Sequence, residues 1–268
     1  MSRKKEYLSS FVVKFIALAC ILIVWELASK GQIFGPKTQI LLPSLESIVV
    51  AFIDNFKIGY AGMSMWVYVG NSMKLLLIGL LLGTVLSLIL SGLSIISKKC
   101  YYVYDMLVSV FDLLPGVALL PVVIIIFGIN SGVIVFLVVH SVIWPLSRNI
   151  LDGFFSVPKL YVEAGTNIGL RGFGLLTGVY LPASMNYIVS GFKVAWARAW
   201  RGLISAEMIF GIATCPGIGL YINQMRNNMN NAEMYATLIV IIIIGMIVQY
   251  GFINPIEKNT VKKWGMTK

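Results

Sequence analysis

Long, unbroken apolar runs constrain this chain more than any other feature. Hydrocarbon offers no water to pair with backbone N–H and C=O groups, so only α-helices and closed β-barrels can cross a bilayer. About twenty apolar residues suffice for one helical crossing. The runs here are continuous rather than alternating, which selects helices. Of 268 residues, 58% are hydrophobic and 12% charged, about half the charge of a soluble domain. The expected fold class is all-α: a polytopic membrane protein with about six transmembrane helices.

The expected spans are 11–29, 68–93, 104–127, 132–148, 183–211 and 234–253. Ala17-Leu18-Ala19-Cys20 is similar to a lipoprotein cleavage box, but Ala17 stands where such a box has Leu. The apolar run also continues past Cys20, so an uncleaved first helix is expected. Pro43-Ser44-Leu45-Glu46-Ser47, followed by Ile48-Val49-Val50, reads as the start of a short amphipathic helix outside the membrane. In the second span Gly79, Gly83, Ser87 and Ser91 recur every four residues, a small-residue stripe that lets another helix come close. The third span contains Asp105, Asp112, Pro115, Gly116 and Pro121, whose lost hydrogen bonds neighbouring helices must make good. Residues 128–132 read as a tight turn, and residues 212–233 as a polar loop.

Six crossings put both termini on one side. Thirteen Lys and Arg fall on that side (Arg3, Lys4, Lys5, Lys14, Lys98, Lys99, Arg148, Lys159, Arg171, Lys258, Lys262, Lys263, Lys268) and four opposite (Lys30, Lys37, Lys57, Arg226). The positive-inside rule then makes both termini cytoplasmic, and the polar segment 149–180 with them. The net charge of +10 is read as this topology signal. It is not read as nucleic-acid binding, because no basic stripe with aromatic partners lies outside the apolar runs. Cys20, Cys100 and Cys215 are far apart and His140 is the single histidine, so neither a disulfide framework nor a metal site is expected.

Within segment 149–180, Ser156 is expected to cap a short helix with Pro158 in its first turn. The helix runs through Lys159-Leu160-Tyr161-Val162-Glu163-Ala164, with Gly169 as its stop. Arg171-Gly172-Phe173 starts a second turn, and Pro182 opens the next membrane helix. Leu160, Tyr161 and Ile168 are apolar residues on a cytoplasmic loop and need a surface to cover them. Ala164 and Gly165 let another backbone approach, and Glu163 offers an acceptor. The other reading of these residues is an amphipathic loop lying on the membrane.

This segment carries a resemblance. The permease subunits of bacterial ATP-binding-cassette importers have E-A-A, three residues, G, nine residues, I-x-L-P. The chain reads Glu163-Ala164-Gly165, three residues, Gly169, nine residues, Val179-Tyr180-Leu181-Pro182. Gly165 stands for Ala and Val179 for Ile. Ala199-Trp200, Ala206-Glu207-Met208 and Gly217-Ile218-Gly219-Leu220 resemble the nitrate/sulfonate/taurine branch, in which Arg201 is bulkier and more charged than expected. The resemblance implies a type I importer permease fold over 65–255, a coupling segment at 156–172, an N-terminal part at 1–64 and a basic cytoplasmic tail at 256–268. It implies that Tyr161, Glu163, Ala164, Gly165, Gly169, Arg171 and Pro182 engage a cytoplasmic ATPase dimer. An extracytoplasmic solute-binding protein would deliver the solute, and a second permease copy, as a homodimer, would complete the path in the lipid of a bacterial inner membrane. No G-x-x-x-x-G-K-[ST] phosphate loop is present. The chain is therefore expected to be no enzyme and to bind no cofactor, with ATP-Mg on the partner ATPase.

Charges inside the membrane supply the candidates for a solute path. One charge at a helix centre costs about 2.5–3.5 kcal/mol on insertion scales, so Lys193, Arg198, Arg201 and Glu207 should not face lipid. At about 100° per residue all four fit in one half of the helix. They either line a cavity for a polar, anionic solute, or pair with one another and with Asp112. His140 reads as a satisfied interior histidine or a solute contact. Trp196 and Trp200 read as packing or as a stacking platform. The solute class expected is a sulfonate, taurine or nitrate, the alternative being a vitamin precursor. An ion-gradient transporter would need repeats around broken helices, and no clear repeat is found. An intramembrane enzyme would need a catalytic cluster, which one histidine and scattered acids do not supply.

Overall fold

The structure, a computed structural model, describes residues 3–60 and 62–258. Part of the two expected basic tails, residues 1–2 and 259–268, lies outside the described residues. In chain order the helices are α1 (Arg3–Lys30), α2 (Leu45–Lys57), α3 (Met65–Ile96), α4 (Lys98–Phe111) and α5 (Leu120–Phe127, entered by a 3-10 turn at Gly116–Leu119). They continue with α6 (Ser131–Ser156), α7 (Lys159–Asn167), α8 (Phe173–Ala183), α9 (Met185–Ile209), α10 (Ile218–Asn227) and α11 (Asn231–Glu257). Among the described residues there is no strand.

Among the described residues, four helices are long and apolar enough to cross a membrane, Val12–Lys30, Met65–Ile95, Ser131–Ser156 and Asn231–Glu257, and a bent pair would make a fifth span. The expected third span is not one straight helix. Lys98–Phe111 and Gly116–Phe127 meet at 91°, because Pro115 removes a donor and the residue before a proline is driven out of helical geometry; Pro121 sits in the first turn of α5, where a helix tolerates it. The fifth expected span, α9, is helical over 25 residues but carries four charges. The fourth runs on past residue 148 to Ser156, through Pro145. The expected polar loop at 212–233 contains a helix, α10.

The chain divides into two compact units, residues 1–66 with 221–241 and residues 67–220 with 242–268. In the first, Ser44 caps α2 by accepting the Ser47 N–H at 3.2 Å, and Ile48, Ala51 and Ala236 form a small core beside Trp25, Phe52 and Tyr235. Trp25 stands edge-on to Tyr235 with ring centroids 5.2 Å apart and donates to the Pro43 carbonyl at 3.0 Å. Of the described side chains of α1, residues 12–30, most others are exposed apolar residues, including Val13, Phe15, Ile16, Ile21 and Leu27, a surface suited to lipid.

In the second unit α6 is the hub. It buries Val133, Ile134, Leu137, Val138, Val142, Leu146 and Ile150 and packs most extensively on α9. The small-residue stripe of α3 faces it. A Cβ on Gly79 would lie 2.4 Å from Val138 Cγ1, and one on Gly83 would lie 2.7 Å from Val142 Cβ. Ser87 Oγ donates to the Gly83 carbonyl of its own helix at 2.7 Å and lies 3.1 Å from the Ile143 carbonyl of α6. On the α4 side, Tyr104 and Ser147 share a hydroxyl–hydroxyl bond of 2.6 Å, and Arg148 lies 3.7 Å from Asp105.

Gly83→Leu should therefore push α3 off α6. We expect a loss of about 1–3 kcal/mol, the usual range for overpacking, read as a lower unfolding midpoint in detergent. Phe15→Leu on exposed α1 should leave that midpoint unchanged.

Candidate functional site

The segment after α6 folds as the sequence expects in outline and differs in its caps. Ser156 does not cap α7. It is the last residue of α6, where its hydroxyl donates to the Gly153 carbonyl at 2.7 Å, and Pro158 occupies the N-cap position. The end of α7 is a Schellman turn: Leu170 N–H reaches the Gly165 carbonyl and Gly169 N–H reaches the Thr166 carbonyl, both at 3.0 Å. Gly169 has φ +87, a left-handed conformation that costs other L-residues about 1–2 kcal/mol. Pro182 does not open the next membrane helix. It sits in the last turn of α8, after a π-type turn at Leu176–Tyr180, and α9 begins at Met185.

This folding brings the two halves of the Glu163–Pro182 pattern together. Tyr161, Ala164 and Gly165 from α7, Ile168 at its C-cap, and Gly178, Val179 and Pro182 from α8 wall one apolar hollow of about 510 Å3. Gly165 is buried because a Cβ there would lie 2.8 Å from Val179 Cγ2 and 3.0 Å from Leu175 Cδ1. Around it Leu160, Tyr161, Ile168 and Phe173 are exposed by 69, 55, 79 and 75%. Glu163 and Arg171 are exposed as well. Four large apolar side chains exposed over fourteen residues form a patch of the kind that marks an interaction site.

A second site forms where α4 breaks from α5. Phe111, Asp112, Leu113, Leu114 and Pro115 of the break, His140, Ser141, Trp144 and Pro145 of α6, and Arg198, Arg201 and Gly202 of α9 wall a cavity of about 410 Å3. Arg198 Nη1 is paired with Asp112 Oδ1 at 2.5 Å. Arg201 uses Nε on the Ala197 carbonyl at 3.1 Å, and no carboxylate pairs with it among the described residues. Phe111 stacks on Trp144 at 4.9 Å and 18°, with His140 edge-on to Trp144 at 6.0 Å. Two nitrogens buried in this wall, His140 Nε2 and Trp144 Nε1, have no partner. An unmet buried polar group costs about 1–3 kcal/mol, which a bound acceptor or water would recover.

Of the seven residues suggested by sequence for a solute path, four meet here: Asp112, His140, Arg198 and Arg201. The other three lie elsewhere. Lys193 Nζ pairs with Glu257 at 2.8 Å. Trp200 stacks on Trp196 with centroids 6.1 Å apart at 9°. Glu207 is 1% exposed and works as a clasp. Its carboxylate accepts Ser72 Oγ at 2.8 Å and Gly219 N–H at 2.9 Å, while Ser72 Oγ accepts the Ile218 N–H at 2.9 Å. Glu207 is thus the side-chain acceptor at the first turn of α10. Gly217 and Gly219 lie so close that a Cβ on either would fall within 2.6 Å of Glu207 atoms. Trp144 and Ser72 were missed in the sequence. The available signals were the four-residue step from His140 to Trp144 and the polar pair Asn71-Ser72 at the head of an apolar run.

A helical membrane protein with a broken span at a charged cavity, and with an exposed apolar hairpin before its last spans, has the architecture of a permease of ATP-binding-cassette importers. Residues 79–258 match the model of the binding-protein-dependent transport system inner membrane component family, and the chain belongs to that family of multi-pass inner-membrane proteins. It is similar to an Escherichia coli protein named for aliphatic sulfonates transport, the permease protein SsuC (30% identical over 225 residues, 84% of this chain and 82% of the relative). It is also similar to the nitrate import permease protein NrtB of Leptolyngbya laminosa (24% over 241 residues, 89% and 84%). A third relative is the taurine transport system permease protein TauC of Escherichia coli (22% over 235 residues, 87% and 83%).

The clasp makes a definite prediction. Glu207→Ala strands the Ser72 hydroxyl proton and the Gly219 N–H, so stability should fall by about 1–3 kcal/mol. Thermal unfolding in detergent reads this, and Glu207→Gln should lose less because its amide oxygen still accepts.

Proposed function

We propose that this chain is the permease subunit of an ATP-driven importer for a small anionic solute, that it contains no ATPase site of its own, and that it docks a cytoplasmic ATPase dimer through α7 and α8. The observation that carries the reading is the exposed apolar hairpin around Gly165 and Gly169, stiff at its turn and open on one face. An apolar groove-and-helix contact of this kind transmits a push, because the α7–α8 hairpin leads through Ser184 into α9, and α9 carries Arg198 and Arg201. When two ATPases close on ATP, their approach would move both hairpins and, through α9, the walls of the charged cavity.

Cationic side chains in the cavity support an anion as cargo, as do the nitrate, sulfonate and taurine named for the relatives. In this reading a solute-binding protein delivers the anion from outside. A second copy of the chain supplies the other half of the path, and both termini lie in the cytoplasm, on the side with thirteen of the counted basic residues. The segment before residue 65 and the tail after residue 255 stand outside the transport core.

The test is co-purification with the neighbouring ATPase, followed by ATP hydrolysis in lipid with the binding protein added. Glu163→Lys should reach the membrane at normal level and fold normally, yet lose at least tenfold in solute-stimulated hydrolysis. Gly169→Val should stiffen the turn in the wrong conformation and weaken ATPase capture in parallel. Wild-type stimulation in both variants would sink the docking assignment.

A further inference from the structure

We propose that the groove between the end of α3 and the start of α4 binds one anionic phospholipid, with an acyl chain along the groove and the phosphate at Lys99. The proposal needs only a chain that spans a membrane, so it goes beyond the importer reading and stands or falls apart from it.

Two stripes of side chains form the groove. Lys99, Val103 and Leu107 recur every four residues along α4, and Leu90, Leu93 and Ser94 come from one face of α3. At 1.5 Å per residue the stretch from Lys99 to Leu107 is about 12 Å long, and the groove holds about 390 Å3. A helix about 10 Å across laid over that length would need on the order of 900 Å3, so an alkyl chain fits and a second helix does not. The walls offer such a chain carbon. Tyr104 shares its hydroxyl with Ser147 at 2.6 Å, and Ser94 donates to the Ser91 carbonyl at 2.7 Å, so neither polar tip needs a guest. Leu93 and Val103 are exposed by 54 and 58%, which leaves the groove open along its side.

Charge makes the groove complementary to an amphiphile. Lys99 is the one cation among the residues that line it, and no carboxylate is among them. No carboxylate pairs with Lys99 among the described residues, and Asp105, further along α4, lies 3.7 Å from Arg148. Lys98 beside it is exposed too. Helical side chains lean toward the N-terminus, so Lys99 stands at the end of the groove where α4 begins, with Val103 and Leu107 behind it. A lysine so placed keeps its stem on carbon and its ammonium among the headgroups. In the topology proposed above these headgroups belong to the cytoplasmic leaflet, whose anionic lipids attract lysines close to the membrane. Phosphatidylglycerol brings a phosphate and an uncharged head. Phosphatidylcholine brings the same phosphate with an ammonium beside it, and the groove has no acid to receive that cation.

The experiment is native mass spectrometry of the full-length permease, titrated in detergent with phosphatidylglycerol or phosphatidylcholine of identical acyl chains. Glycerol phosphate serves as a headgroup without chains. One phosphatidylglycerol site is expected, at least tenfold tighter than any for phosphatidylcholine and not competed by glycerol phosphate. Lys99→Glu should abolish the preference, Lys99→Gln should lose part of it, and Val103→Trp should fill the groove and weaken binding at least fivefold. Lys14→Glu, on exposed α1, should bind as wild type. Thermal unfolding checks that each variant folds, and the lipid comparison and the two Lys99 variants decide the matter even if Val103→Trp does not. Equal binding of the two lipids would overturn the proposal, as would wild-type binding in Lys99→Glu or a loss in Lys14→Glu as large as that in Lys99→Glu. A second copy covering the groove would overturn it too; the exposed thiol of Cys100, which also lines the groove, would then be closed to maleimide in a lipid-free dimer. Neither ATPase nor solute enters the measurement, so failed ATPase capture defeats the importer reading alone and a missing lipid site defeats this inference alone.

Discussion

Pairing of backbone polar groups in the absence of water is the constraint on which the rest of this structure depends. It makes nearly every membrane-length segment a helix, and it makes each interruption significant. The sharpest interruption is the 91° turn between α4 and α5. There Leu114 N–H is left with the Phe111 carbonyl at 3.2 Å and Ala118 N–H with the Pro115 carbonyl at 2.9 Å, short turns in place of a helix ladder. A segment like this is stable beside protein and a polar cavity and not beside lipid. The same constraint places Arg198, Arg201 and Asp112 around it, since charges at that depth also need one another or water.

Close helix packing supplies the frame that holds the break in place. Lipid tails are as apolar as leucine side chains, so helices in a bilayer associate through fit and buried hydrogen bonds. Here the fit comes from Gly79 and Gly83 against Val138 and Val142, and the hydrogen bonds from Ser87, Tyr104 and Ser147. Glu207 does for α10 what these do for α6. It fixes a helix start with a buried carboxyl group; Gly217 is small because that group occupies its space, and Gly219 because the Ile204 carbonyl and Glu207 Cβ occupy its own.

The two candidate sites follow opposite rules. At the α7–α8 hairpin, backbone groups are satisfied locally by the Schellman turn while large apolar side chains stay exposed, the pattern of a surface awaiting another protein. At the helix break, charged side chains gather beside a bent backbone, Arg198 paired with Asp112, the pattern of a polar interior. α9 connects them directly in the chain, starting two residues after α8 and carrying the cavity arginines in its middle turns.

Much of this was legible in the sequence because it is a matter of local chemistry. Apolar runs determined the helices, the four-residue stripe determined which face of α3 is closely packed, and Ser44 marked the start of α2. Gly169 marked the end of α7, because only glycine adopts that backbone freely. The spacing from Glu163 to Pro182 was visible as a pattern, but not the reason for it, which is that both ends wall one hollow. Which charges meet was decided only in three dimensions. A helical wheel places Lys193, Arg198, Arg201 and Glu207 in one half of α9, yet Lys193 goes to Glu257, Glu207 goes to Ser72 and α10, and only Arg198 and Arg201 reach the cavity. The wheel gives direction around one axis. A charge in the membrane settles by the partners that neighbouring helices bring within about 3 Å, and those partners lie up to 135 residues away.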